Sequence, residues 1–208
     1  MTCIILIVKS PHEMLAMGHS QEDKARSHER IVKRAAARFR ECGIDGIGLA
    51  DLMKEAGLSH GGFYRHFSSR DELVTEAVEH ALVDGGQRLA DVGRPDRPLT
   101  LEMLIEAYLS PAHRDHLAAS CAVATMAADV ARAGDRAKVA YSKQVEVYLG
   151  VLADLVSGPN KKIKRARAIT TLAALVGAVS MARAVKEEKL SREILASAAQ
   201  ELAAMLRA

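Results

Sequence analysis

Apolar positions recur at helical spacing along almost the whole chain. Ile31, Ala35 and Phe39 fall every four residues with basic groups between them, which predicts a first helix from about Ser27 to Cys42, closed by Gly43. Leu49, Leu52 and Met53 share one face of a short second helix, and Gly57 stands where that helix must stop and reverse. Ser59 is placed to cap a third helix, whose Phe63 and Phe67 form one aromatic face. Ser69 and Glu72 read as a capping box that opens a fourth helix, with Leu73, Ala77, Ala81 and Leu89 on its apolar side and its end by Gly93.

The second half continues the pattern. Gly93 to Pro98 is turn-rich and predicts a linker. A fifth helix is expected from about Leu99 to Leu109, stopping before Pro111, with a loop to Ala118. A sixth runs from Cys121 to Ala133 with Ser120 as its cap, and a seventh from Asp135 to Val156. The eighth, Lys161 to Val185, is apolar nearly all round, and the ninth is expected to be capped by Ser191 and to carry Ile194, Leu195, Ala198, Leu202 and Leu206. The sum is an all-α chain of about nine helices with no strand signal after the first few residues. Residues 1–23 read as an appendage: the run CIILIV is short, and Met14 and Met17 are alternative starts.

The segment Gly48 to Phe67, GLADLMKEAGLSHGGFYRHF, is two helices joined by a tight turn, the layout of a helix-turn-helix. Opposite its aromatic face the second helix presents His60, Tyr64 and Arg65, with Gly61 and Gly62 removing side-chain bulk. Arg and His are groups that reach base edges and phosphates. The run Phe63-Tyr64-Arg65-His66-Phe67 followed by Ser69-Arg70-Asp71-Glu72-Leu73 resembles the DNA-binding end of the TetR family of transcriptional regulators, from about Arg26 to Ala81. The resemblance implies a three-helix DNA-binding domain over residues 24–72 and a helical regulatory and dimerisation domain over 73–208. It implies phosphate contacts from Tyr64, His66 and Arg70, beside base contacts expected of His60 and Arg65. A packed or capping histidine is the other reading of His66. Gly48 stands where the family commonly has a capping Ser or Thr, so a backbone N–H remains but a hydroxyl contact is lost. Lys24 and Arg26, ahead of the first helix, read either as a minor-groove arm or as a basic tail.

Charge follows the same division. Lys24 to Arg70 holds 10 Lys/Arg against 5 Asp/Glu, whereas Asp71 to Ala208 holds 18 against 18. A positive excess confined to the expected reading head is what counterion release would reward. The three cysteines form no C-x-x-C pair, which argues against a disulfide scaffold or zinc site and for a reducing cytoplasm. The longest uncharged helical run, Ala168 to Ala182, is short of the ~20 residues that span a bilayer. No Gly-rich phosphate loop, nucleophile elbow or metal-ligand cluster is evident, so neither catalysis nor a cofactor is expected.

Taken with the resemblance, the expected partners are a palindromic double-stranded operator, a second copy of the chain and a small hydrophobic effector, with repression as the usual sign. Met103, Tyr108, Cys121, Met126, Tyr141 and Tyr148 are candidate pocket residues, apolar groups with a few polar tips. Cys121, placed at a helix N-terminus, is a candidate sensing thiol. Ala174, Gly177, Ala178 and Met181, with Leu202 of the ninth helix, are candidates for the dimer interface. His113 and His116 have a spacing that can hold a metal, although two histidines in a turn are more commonly solvated. The alternatives are a helical interaction protein that no longer reads DNA and, less favoured, an enzyme.

Overall fold

The computed structural model describes residues 11–90, 92 and 98–205, with side chains described for 21–87, 92 and 98–205. The expected linker at 93–97, the run CIILIV with Cys3, and the Leu89 and Leu206 side chains lie outside the described residues. Among the described residues the chain is all-helical, with ten α-helices and two short 3₁₀ helices.

The head is built on α1 (Pro11–Cys42), α2 (Leu49–Glu55), a 3₁₀ helix (His60–Arg65) and the first half of α3 (Arg70–Ala90). Ile31, Ala35 and Phe39 of α1 are at most 1% exposed and pack with Leu52, Met53, Phe63, Phe67 and Leu73, so the four-residue repeat did mark the core face. α1 begins well before the expected Ser27, which makes Lys24 and Arg26 helical residues rather than an arm; Arg26 pairs with Asp23 on its own helix. Gly43 and Gly57 have φ of +80° and +74°, the left-handed turns that glycine takes without penalty.

The body is α4 (Leu101–Tyr108), α5 (Pro111–Asp115), a 3₁₀ turn (Leu117–Ala119), α6 (Ala122–Thr125), α7 (Ala127–Arg132), α8 (Asp135–Leu155), α9 (Lys161–Ala184) and α10 (Glu188–Met205). α3 packs against α1 at one end and α8 at the other, and so belongs to both halves. α8, α9 and α10 pack in succession.

Several local expectations are corrected. Pro111 starts a helix instead of the expected loop: it is the first residue of α5, where its missing N–H costs nothing, and Ser110 Oγ accepts from His113 N at 3.1 Å. The expected sixth helix is broken at Met126 into α6 and α7. Ser120 does not cap α6; Cys121 occupies that position without a side-chain cap, and Ser120 Oγ instead meets the His113 ring and Arg183. Ser191 does not cap the last helix. It lies one turn inside α10, buried, donating to the Ala182 carbonyl at 2.7 Å and accepting from Arg114. Only half of the Ser69–Glu72 box forms: Ser69 Oγ accepts from Glu72 N, whereas the Glu72 carboxylate takes the N–H and hydroxyl of Ser68.

Candidate nucleic-acid interface and cavity

The outward side of the helix-turn-helix is held from beneath by aromatic packing. Phe63 and Phe67 stack with ring centroids 5.4 Å apart, and His28 of α1 stacks on Phe67 at 4.5 Å. His28 also reaches across to Glu76 of α3, Nε2 to Oε2 2.7 Å, which locks the first and last helices of the head together. Neither role of His28 was legible in the sequence, since both partners lie some forty residues away. Deeper in, the buried Arg40 donates to Asp84 at 3.0 Å and to the Ala81 carbonyl, a second tie between α1 and α3.

On this base the expected reading residues divide. His60, Tyr64 and Arg65 are exposed, Tyr64 at 72%. The element that carries them is a 3₁₀ helix and not the α-helix the spacing implied, and its Ser59 cap has extended backbone but no side-chain hydrogen bond. A 3₁₀ turn is tighter, which suits a six-residue segment with two glycines in its first turn. A Cβ added at Gly61 would meet nothing within 4 Å, and one at Gly62 only ordinary contacts with Ser59 Oγ and Met53. The fold itself does not ask for these glycines. Gly48 is exposed at the N-cap of α2, also without a side-chain cap. His66 turns inward: its ring lies 6.1 Å from His28, its Nδ1 is buried, and burial lowers its pKa below the ordinary 6.5, helped by the neighbouring positive groups His28, Lys24 and Arg65. Its geometry is that of the packed histidine. Arg70 is bound to the loop before α2, donating to the Ile44 carbonyl at 2.7 Å and Asp45 at 3.1 Å, while part of its side chain remains exposed.

The body contains a cavity of about 190 Å³ between the end of α3 and helices α4, α5, α8 and α9. Of the six expected pocket residues, Tyr108, Cys121 and Tyr148 line it. Met126 is fully buried in the core, Tyr141 donates to the Val123 carbonyl at 2.8 Å, and Met103 is half-buried on α4; none of the three is part of the wall. Leu104, Leu152, Leu172 and Leu175 supply most of the remaining surface. His113 also lines the cavity, a role its sequence position in an expected loop concealed. Its ring is spent on the fold: Nδ1 donates to the Tyr108 carbonyl at 2.6 Å, which leaves Nε2 as acceptor for the Cys121 N–H at 3.2 Å. His116 Nδ1 bonds the Ala112 carbonyl, so the two histidines do not converge. Burial lowers the His113 pKa against the raising effect of the Tyr108 carbonyl. Burial, reinforced by Cys121, raises both Tyr108 and Tyr148 far above the ordinary phenol range. Arg183 of α9 stands behind this end, committed to the carbonyls of His113 and Arg114 and to Ser120.

Two glycines in the last third of α3 lie at the cavity end of that helix. A Cβ at Gly85 would lie 2.9 Å from the Tyr148 hydroxyl, and one at Gly86 2.9 Å from Gln144 Nε2. The pair Gly85-Gly86 inside a helix was the available sign that another element approaches closely there.

The expected interface residues also divide. Gly177 is partly exposed with open space at its Cβ, Ala174 is partly exposed and Met181 is 55% exposed. Ala178 and Leu202, at 3% and 4%, are buried within their own chain and face inward. α9 is therefore not buried on all sides as its composition implied. One face packs in the body, through Leu172, Leu175, Val179 and others, and the opposite face carries exposed Ile169 and Met181. α9 has the length and hydropathy of a membrane span, and one of its faces packs in the body.

Residues Ile31 to Ala77 match the family described as bacterial regulatory proteins, tetR family. The matched segment takes in the helix-turn-helix of the head. Two regulators of Bacillus subtilis (strain 168), both described as HTH-type, are similar over this region: YfiR is 30% identical over 70 residues, 34% of each chain, and YvdT is 34% identical over 55, 26% of this chain and 28% of its own. The match thus spans about a third of the length of these curated relatives. The fold likeness runs further. A TetR regulator from Chloroflexus aurantiacus superposes with a TM-score of 0.73 at 24% identity, covering 88% of this chain and 95% of that one. The reduced form of E. coli NemR gives 0.70 at 18%, covering 87% and 97%. Over residues 31–77 the chain is thus similar to the DNA-binding segment of that family, and over most of its length it shares the fold of these two solved regulators.

Proposed function

We propose that this chain is a TetR-family regulator, a cytoplasmic repressor that binds a palindromic double-stranded operator as a homodimer and leaves it when a small apolar effector occupies the body cavity. The observation that carries the reading is the pair Gly61 and Gly62, open on the exposed side of a segment whose other side is fixed by Phe63 and Phe67. Two glycines with no internal steric demand are accounted for by close approach of something outside the chain, and His60, Tyr64 and Arg65 around them suit a nucleic-acid groove. A two-fold pairing through the exposed faces of α9 and α10 would set two such segments about 34 Å apart, one turn of duplex. α3 runs from Arg70 at the DNA end to Gly85 at the cavity wall, which gives an effector a rigid lever.

Fluorescence anisotropy with the DNA flanking the protein's own gene tests the reading. Arg65→Ala should weaken binding to the preferred site more than to random duplex. Arg70→Ala should weaken both and reduce the slope of log K against log salt by about one. Binding indifferent to both changes would remove the proposed interface.

A further inference from the structure

The polar end of the body cavity is chemically one-sided. The Tyr108 hydroxyl oxygen is buried, with no nitrogen or oxygen partner among the described residues. Its polar neighbours are the Cys121 thiol, a weak hydrogen-bonding group, and the Tyr148 hydroxyl. A buried hydroxyl left without a partner costs free energy that a bound acceptor would recover.

The cavity also disfavours charge. Among the described residues, no carboxylate, lysine or arginine lines it. Its histidine is kept neutral by burial and holds backbone groups with both ring nitrogens. Arg183, whose charge is felt at Tyr108 and His113, already donates to two carbonyls and a hydroxyl. An ion placed here would be desolvated without a counter-charge. The remaining described wall is leucine, alanine, Val92 and Gly85. An apolar cavity of about 150 Å³ accommodates benzene, and this one measures about 190 Å³, enough for one ring with a short substituent.

We propose that the cavity takes an uncharged, single-ring-sized molecule bearing one hydrogen-bond acceptor, and that the Tyr108 hydroxyl donates to that acceptor. This deepens the effector reading above and rests on it only for the consequence at DNA, since binding itself is independent of that reading.

Isothermal titration of the full chain with four probes of similar size tests it: acetophenone, ethylbenzene, benzoate and benzylammonium. Acetophenone should bind most tightly, ethylbenzene more weakly and the two ions least. Tyr108→Phe should weaken acetophenone by about three- to tenfold, the worth of one hydrogen bond, and leave ethylbenzene unchanged. Leu172→Phe, which fills the apolar end, should weaken both neutral probes together and guards against a Tyr108 variant that folds poorly. Benzoate or benzylammonium binding better than acetophenone, equal loss of both neutral probes in Tyr108→Phe, or binding of none of the four would each overturn the proposal. Acetophenone that binds through Tyr108 yet leaves operator DNA bound would support the ligand class while overturning its role as effector.

Discussion

The α carbon of Gly85 faces the hydroxyl of Tyr148 so closely that a methyl group at residue 85 would stand 2.9 Å from the oxygen. In an ordinary helix interior, Gly→Ala stabilises by roughly 0.8–1 kcal/mol. Here contact with a ring held between helices opposes that gain. Gly85→Ala is expected to lower the melting temperature of the wild-type protein, whereas in a Tyr148→Phe background, which removes the oxygen, the same change should be neutral or stabilising. The double-mutant cycle should give a coupling of about 1 kcal/mol or more. A cycle that closes to zero would show that α3 and α8 do not meet through this pair.

Gly61 makes the opposite case. Ala at this position finds empty space and is a better helix former, so Gly61→Ala should leave thermal stability unchanged or slightly raised. Its proposed role lies outside the chain, so operator affinity should fall by about tenfold, or ~1.4 kcal/mol. Anisotropy and thermal melts on the same sample separate the two. A variant with reduced stability and intact DNA binding would mean that the glycine serves the fold after all.

Which parts of this structure could be read in advance depends on how local their causes are. The burial of Ile31, Ala35 and Phe39 and the left-handed turns at Gly43 and Gly57 follow from spacing and backbone sterics within a few residues. Ser191 has the local look of a cap, yet it is buried because Arg114, 77 positions earlier, arrives to meet it. Pro111 illustrates an ambiguity of sign, since proline both follows helices and opens them, and Ser110 decided for the second. In the cavity, Tyr108, Cys121 and Tyr148 come together from three separate elements, while Met126 and Tyr141, of the same general chemistry, go to the core. No periodicity distinguishes those fates, because they are set by how α4, α6 and α8 pack.

Mild acid should destabilise the fold through its partly buried histidines. Burial lowers the folded pKa of His66 and of His113 below the ordinary 6.5. Between the folded and unfolded values the unfolded chain binds the protons and the folded chain does not, so stability is full above about 6.5 and falls as pH drops through the folded values. Depressed carboxylates act in the same direction but lower down: Glu188 is held by Arg192 and Arg114, and Asp115 by Arg114. Urea midpoints should therefore fall between pH 7.5 and 5.5, and His113→Asn should flatten that dependence even if it lowers stability at both ends. A midpoint that rises on acidification would contradict the assignment.

Met181 tests the pairing of two chains. Its side chain is 55% exposed on α9, one turn beyond Gly177, where a Cβ would meet no atom of the same chain. An exposed position tolerates a polar residue, so Met181→Glu should change the stability of an isolated subunit by no more than about 0.5 kcal/mol. Near a two-fold axis each substitution is made twice, and two desolvated carboxylates would then repel across the contact. Light scattering at micromolar concentration should show a dimer for the wild type and a monomer for Met181→Glu. The variant should also lose most of its affinity for a full palindrome while keeping that for a half-site. Leu202→Glu, by contrast, strikes a residue only 4% exposed within its own chain and should unfold the body before it dissociates anything. A Met181→Glu protein that remains dimeric would move the interface away from this face of α9.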